Sequence, residues 1–256
     1  MPNVAGSRTR AQAERHTRTA VRPPHVAGRA RPRAAHAAVT PSCPDGGAHP
    51  LTAGSRRRAA APPRCGVLSL QGDFALHSTA LLDLGCEPVR VSLPEHLERL
   101  DALILPGGES STMLRLLDSS GLRAPLERYL KHQPVLGTCA GLILLARSAD
   151  KLPRPTLAAL DIDAARNAWG RQVHSFTDTV SMPELGGTLS GVFIRAPRIT
   201  RVGRGVQVVA RYGDEAVGVR CGHIAAITFH PELTDDRRLH AWFLREVAGL
   251  SVGGPR

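Results

Sequence analysis

The sequence predicts an α/β fold in three layers, a mixed central sheet with helices on both faces and antiparallel additions, preceded by a disordered tail. Three observations predict it. Between residues 65 and 146, short apolar runs alternate with segments of helical spacing, the pattern of a parallel sheet wrapped by helices. From residue 157 onward, short β-rich stretches follow one another between Gly, Pro and charged turns, which reads as strands added antiparallel to that sheet. Before residue 65 neither pattern exists.

Cys65 to Leu70 is an apolar run ending at Gln71-Gly72-Asp73, and Phe74 to Leu84 then repeats Leu76, Ala80, Leu81 and Leu84 at helical spacing, with Gly85 as its stop. Pro88 to Leu93 reads as a second strand and Asp101 to Leu105 as a third, ending at Pro106-Gly107-Gly108. Ser110 to Leu117 and Leu122 to Lys131 read as helices, and Pro134 to Gly137 as a fourth strand. Six β-rich stretches follow: Leu157 to Ile162, Gly170 to Val180, Leu189 to Arg195, Val206 to Tyr212, Ala216 to Arg220 and His223 to Phe229. A last helix from Asp235 to Ala248 turns Leu239, Trp242, Phe243 and Val247 toward the core.

The chain carries a formal charge of +11, which at first suggests a nucleic acid or a membrane as partner. Residues 1–64 hold twelve arginines and no lysine against Glu14 and Asp45, for +10, which leaves about +1 for the rest. The folded part is nearly neutral, so neither a nucleic-acid nor a membrane partner is expected. The same stretch has nine prolines and no Phe, Tyr or Trp, too little apolar surface to offset the entropy of ordering. It reads as an Arg/Ala/Pro-rich tail: a translated upstream region from a start assigned too early, a real extension, or a transit peptide. Residues 65–250 are long enough for one domain with a sizeable core, and 251–256 read as a flexible C-terminus. With no apolar leader after Met1 and no membrane-length apolar run, a cytoplasmic protein is expected. Five scattered cysteines without a CxxC pair suggest neither a disulfide framework nor a zinc site.

Three short stretches carry chemistry. In Gly137-Thr138-Cys139-Ala140-Gly141 a strand gives way to a helix through small residues, the geometry of a nucleophile elbow, and the helix N-terminus favours a thiolate. A buried cysteine acting as a small hydrophobe fits the same stretch. In His230-Pro231-Glu232 an extended chain points both polar side chains to one side, so that the carboxylate can orient the imidazole. A strand-end histidine and a helix-entry acid also fit. Gly107-Gly108 ends the third strand and can aim an N–H at a developing oxyanion, or form a plain βα turn; the lysine of a phosphate-binding loop is absent.

Taken together, these parts resemble the class I glutamine amidotransferases, and more narrowly the PdxT family of glutaminase subunits of pyridoxal 5′-phosphate synthase. The resemblance rests on GVLSLQGDF (Gly66 to Phe74), LILPGGESSTM (Leu103 to Met113), GTCAGLILLA (Gly137 to Ala146), RNAWGRQVHSF (Arg166 to Phe176), GVFIRAP (Gly191 to Pro197) and FHPELT (Phe229 to Thr234). It implies a flavodoxin-like fold and glutamine hydrolysis through a glutamyl thioester. In that family's terms Cys139 is the nucleophile, His230 its base and Glu232 the orienting acid. Gly108 and Ala140 supply the oxyanion hole, and Gly108, Glu109, Ser110, Arg166, Ile194 and Arg195 hold L-glutamine. No metal and no cofactor is implied. The implied partner is a PdxS-type synthase with a dodecameric core, which receives the ammonia, and flexible Gly107-Gly108 suggests an oxyanion hole completed on docking.

The sequence departs from the family pattern at Ala75 and Leu76, where an Arg-Glu pair is usual before His77, at Ala165 in place of an acid, and at His174 in place of an aspartate. These positions bear on docking and on the ligand loop rather than on the triad. The competing readings are a glutaminase serving another acceptor synthase, a catalytically silent regulatory subunit, and a nucleic-acid binder acting through the arginine tail.

Overall fold

The computed structural model describes residues 61–72, 74–166 and 175–254. The expected tail apart from 61–64, the stretch 167–174 with His174, and the last two residues lie outside the described residues. The first half runs β1 (Arg64–Leu68), α1 (Phe74–Asp83), β2 (Glu87–Val91), β3 (Ala102–Leu105), α2 (Ser110–Ser119), α3 (Arg123–Tyr129), β4 (Val135–Thr138) and α4 (Ala140–Leu145). The second runs β5 (Ala146–Ala149), β6 (Leu160–Ala165), β7 (Ser175–Met182), β8 (Gly187–Ile194), β9 (Arg198–Val202), β10 (Gln207–Tyr212), β11 (Glu215–Cys221), β12 (Ile224–Ile227) and α5 (Arg238–Trp242).

The main sheet is mixed, with strand order β2-β1-β3-β4-β12-β11-β10-β7-β8. Its first five strands are parallel and the rest are antiparallel additions. Each central strand splits its side chains between two cores, as the two-residue period of a strand requires. From β3, Leu103 and Leu105 share one core with Met113 and Leu117 of α2 and Leu142 and Leu145 of α4. Ala102 and Ile104 share the other with Leu81 of α1 and Leu239 of α5. Fully burying a leucine contributes roughly 1.5–3 kcal/mol, so these alternating strands fix which helix covers which face.

Four features differ from the sequence expectations. β1 begins one residue early because Arg64 pairs with Glu87 and its N–H donates to the Asp101 carboxylate at 2.7 Å. The expected helix from Asp235 to Ala248 starts only at Arg238, since the Asp236 carboxylate accepts the Arg238 N–H. It then widens into a π-helical turn, Phe243–Val247, closed by the Ala248 N–H on the Phe243 carbonyl. Finally, β5 and β9, which lack apolar periodicity, pair with β6 in a second, three-stranded sheet. Charge holds it: Asp163 on β6 takes hydrogen bonds from Arg147 and Ser148 on β5 and from Arg201 on β9, at 2.7–2.8 Å. The Arg198 to Glu215 pair ties β9 to β11 of the main sheet.

The register sets the site. Leu105 lies opposite Gly137, and Thr138 opposite Ile227, so the carboxyl ends of β3, β4 and β12 stand side by side. The segments leaving those ends carry Gly107-Gly108, Cys139 and His230 to Glu232. A crevice at the carboxyl ends of parallel strands is where ligands settle in open α/β sheets.

Candidate active site

Cys139 sits between the last residue of β4 and the first of α4, with φ 48° and ψ −102°. That conformation is sterically disfavoured for a residue with a Cβ, and costs on the order of 1–3 kcal/mol. Its surroundings impose it. The Cys139 N–H donates to the Ile227 carbonyl at 2.9 Å, extending the β4–β12 ladder past the strand end. Gly141 lies so close to the Leu105 carbonyl that an added Cβ would stand 2.0 Å from the oxygen. The chain must therefore turn sharply, and only small residues fit. The Cys139 sulfur lies 3.8 Å from the Ile194 carbonyl oxygen, and Ala140, as the first residue of the helix, has an N–H without an intrahelical acceptor.

His230 leaves β12 in extended conformation, and its N–H donates to the Val192 carbonyl of β8 at 2.9 Å. Pro231–Leu233 then form a 3₁₀ turn. His230 and Glu232 therefore meet across a turn, not along an extended strand as the sequence suggested, but they do meet: Nδ1 to Oε1 is 2.7 Å. Both side chains are buried. Burial opposes a charge on His230, yet its interactions with Cys139 and Glu232 outweigh burial and hold its pKa up at about 10. The ring lies against Gly107, where an added Cβ would stand 2.3 Å from Cε1.

Behind the pair lie two histidines the sequence reading did not assign. His77 of α1 is fully buried; its Nε2 is 3.4 Å from Glu232 Oε2 and 3.4 Å from Thr138 Oγ1, and its Nδ1 is 3.0 Å from His240 Nε2. His240 of α5 is equally buried. The available signal was a histidine on the apolar stripe of each helix, His77 with Ala80, Leu81 and Leu84, and His240 with Phe243, Leu244 and Val247.

Burial, then the charge of His240 and of His230, hold His77 well below its usual pKa; burial and then Arg237 lower His240 to about 4. Both rings therefore fold neutral, and the unfolded chain binds more protons below about pH 6.5. Stability is expected to fall as pH drops below about 6.5, the histidines accounting for the loss down to about pH 5 and carboxylates such as Asp163, held near 2, adding to it below that. Urea unfolding at pH 7, 5.5 and 4.5 checks this, and His240→Leu should flatten the slope; a slope of zero in the wild type contradicts it.

The other predicted residues converge on one cavity of about 310 Å³. Gly108, Glu109 and Ser110 line it from the start of α2, Cys139 and Ala140 from the elbow, and His230 from the far side. Arg166, Ile194 and Arg195 complete the wall, and Gln71 and Ile143, absent from the sequence prediction, also contribute. Glu232 does not line the cavity; it lies behind His230. Glu109 also caps α2: its carboxylate accepts from the Ser111 and Thr112 amides at 3.1 and 2.6 Å. Burial opposes its ionisation, but those amides outweigh it and lower its pKa. Arg166 Nη2 meets Glu109 Oε1 at 2.9 Å, so a cation and an anion stand together at the cavity wall. Ala75 and Leu76 are exposed on α1. Two larger grooves, of about 390 and 550 Å³, contain no cysteine.

Comparison with known proteins adds independent findings. The profile of the SNO glutamine amidotransferase family matches residues 67–249. The pyridoxal 5′-phosphate synthase subunit PdxT of Thermotoga sp. strain RQ2 is 48% identical over 186 residues, covering 72% of this chain and 99% of that protein. The corresponding subunit of Geobacillus kaustophilus is also 48% identical, over 72% and 94% of the two chains. Among solved structures, a glutamine amidotransferase superposes with a TM-score of 0.69 at 47% identity, covering 73% of this chain and 99% of its own. PurLQS from Thermotoga maritima, at 17% identity and a TM-score of 0.54 over 72% and 99%, shares the fold.

Proposed function

Because the chain belongs to the SNO glutamine amidotransferase family, we propose that it is the glutaminase subunit of a pyridoxal 5′-phosphate synthase, hydrolysing L-glutamine to L-glutamate and ammonia. The observation that carries this reading is the strained Cys139 facing a buried His230–Glu232 pair across one cavity, in a chain 48% identical to PdxT subunits.

In the proposed reaction the Cys139 sulfur attacks the side-chain carboxamide carbon while His230 holds the proton. The carbonyl oxygen becomes an oxyanion, for which the Gly108 and Ala140 N–H groups are the proposed donors. Collapse breaks the C–N bond; His230 gives its proton to the leaving nitrogen, and ammonia departs from a glutamyl thioester. Water, deprotonated by His230, attacks the thioester, and the second collapse releases glutamate and restores the thiol. Glu232 keeps Nδ1 protonated, so that Nε2 is the nitrogen that trades the proton. The Glu109–Arg166 pair offers a carboxylate for the α-ammonium and a guanidinium for the α-carboxylate of glutamine, with Ser110, Ile194 and Arg195 around them.

The family match over residues 67–249 supports assigning this activity to a domain of residues 65–250. The ammonia passes to a PdxS-type synthase subunit, whose dodecameric core carries the glutaminases, and the reaction belongs in the cytoplasm. The test supplies amide-¹⁵N-glutamine, the synthase subunit, a pentose phosphate and a triose phosphate. Label should appear in pyridoxal 5′-phosphate with one glutamate released per cofactor or more. No glutamate, with or without the synthase, overturns the glutaminase reading; glutamate without label in the cofactor overturns the partner.

A further inference from the structure

Glu232 offers His230 only one of its two oxygens. Among the described residues no hydrogen bond satisfies the other, Oε2, although it is fully buried. The group facing it is His77 Nε2, at 3.4 Å. A bare carboxylate oxygen in the interior costs free energy comparable to a lost charged hydrogen bond, so what His77 presents to it matters.

The tautomers can be assigned by elimination. Suppose His77 carried its proton on Nδ1 and donated it to His240 Nε2. The lone pair of His77 Nε2 would then face the Glu232 carboxylate, and His240 would bear a proton on Nδ1, which is buried and has no partner among the described residues. The opposite arrangement has neither fault. His240 Nε2–H donates to His77 Nδ1, His77 Nε2–H points at Glu232 Oε2 and Thr138 Oγ1, and the partnerless atom is an acceptor nitrogen, far cheaper to leave bare than a buried donor. Every N–H in the row then points the same way, from α5 through α1 to the acid.

We propose that His77 is a positioning residue of the glutaminase: held in its Nε2–H form by His240, it donates to the second oxygen of Glu232 and so fixes the carboxylate that orients His230. This rests on the glutaminase reading above. The 3.4 Å separation closes to a full hydrogen bond as His230 becomes imidazolium and the carboxylate bears the balancing charge. His77 touches neither substrate nor sulfur. The charged or titratable groups near it are Glu232 and His230 from the turn after β12 and His240 from α5, which Arg237 and Asp236 adjoin.

The test uses the full chain with its synthase partner and two variants. His77→Leu removes the donor; His77→Gln keeps an N–H at the reach of Nε2. His77→Leu should lower kcat for glutamate release about 10- to 100-fold with KM within about two-fold, the loss of one hydrogen bond to a charged group felt in the chemical step. The rate of Cys139 alkylation by iodoacetamide at pH 7 should fall with it, and His77→Gln should restore both to within about three-fold. A cooperatively unfolding His77→Leu with wild-type kcat and alkylation rate overturns the proposal, as does a Gln variant as impaired as Leu. Should His77→Leu not fold, ¹⁵N-histidine spectra of the wild type decide: His77 and His240 must both be Nε2–H, and an Nδ1–H form at His77 overturns it. A wild type whose Cys139 neither alkylates nor turns over glutamine fails the parent reading instead.

Discussion

Cys139→Ala is expected to release glutamate at least about 10⁴-fold more slowly than the wild type, alone or with the synthase, because among the described residues no other thiol lines the cavity and only binding and oxyanion stabilisation would remain. The same residue makes a second, opposite prediction. At φ 48° and ψ −102° any side chain with a Cβ is strained, so Cys139→Ala should be no more stable than the wild type. Cys139→Gly escapes the clash and should exceed Cys139→Ala by roughly 1–3 kcal/mol in urea unfolding. An inactive glycine variant that is the most stable of the three would show that the elbow holds its sulfur at a cost in stability. Equal stability of the three would mean that the turn relaxes around its side chain.

Gly107→Ala should lower kcat by about 10²-fold or more without unfolding the protein. Its Cβ would arrive 2.3 Å from His230 Cε1, well inside contact distance, and the ring is the softer of the two. The ring must swing by about an ångström, and a misplacement of that size in a catalytic group costs roughly two orders of magnitude. His230 cannot retreat with its backbone, which the Val192 carbonyl holds, so the displacement falls on the side chain and on its 2.7 Å bond to Glu232. Glutamate release and Cys139 alkylation, measured beside a thermal melt, separate this from simple destabilisation. Unchanged turnover would mean that the imidazole has room the packing does not show.

What could be read from the sequence follows from which forces leave a periodic trace. β3 and β4 are short and apolar and lead into glycine-bearing turns, so their positions were legible, as was the Gly-rich elbow after β4. The second sheet was not, since β5 (ARSA) and β9 (RITRV) are held by Asp163, Arg147 and Arg201, and a charge laced across strands has no period. The π-helical turn escaped for a related reason: its apolar residues fit the ordinary helical repeat, and only the Ala248 to Phe243 bond reveals the wider turn. At the site, Gly107-Gly108, Cys139 and His230 were readable because each sits in its own local motif, while Gln71 and Ile143, which also line the cavity, were not assigned. His77 and His240 bring none; they matter only through a meeting of α1 and α5 across 163 residues of sequence.

The amides of Cys139 and His230 both end on strand carbonyls, those of Ile227 and Val192. The Cys139 hydrogen can exchange with solvent only when β4 parts from β12, both interior strands of the main sheet, and the His230 hydrogen only when the turn after β12 parts from β8, the edge strand. The Cys139 proton should therefore be among the slowest in the protein to exchange with deuterium, at a rate set by global opening, and the His230 proton should exchange faster, with the fraying of β8. The backbone of Cys139, the proposed nucleophile, therefore keeps its place for as long as the domain stays folded, while that of His230 loosens with the sheet edge.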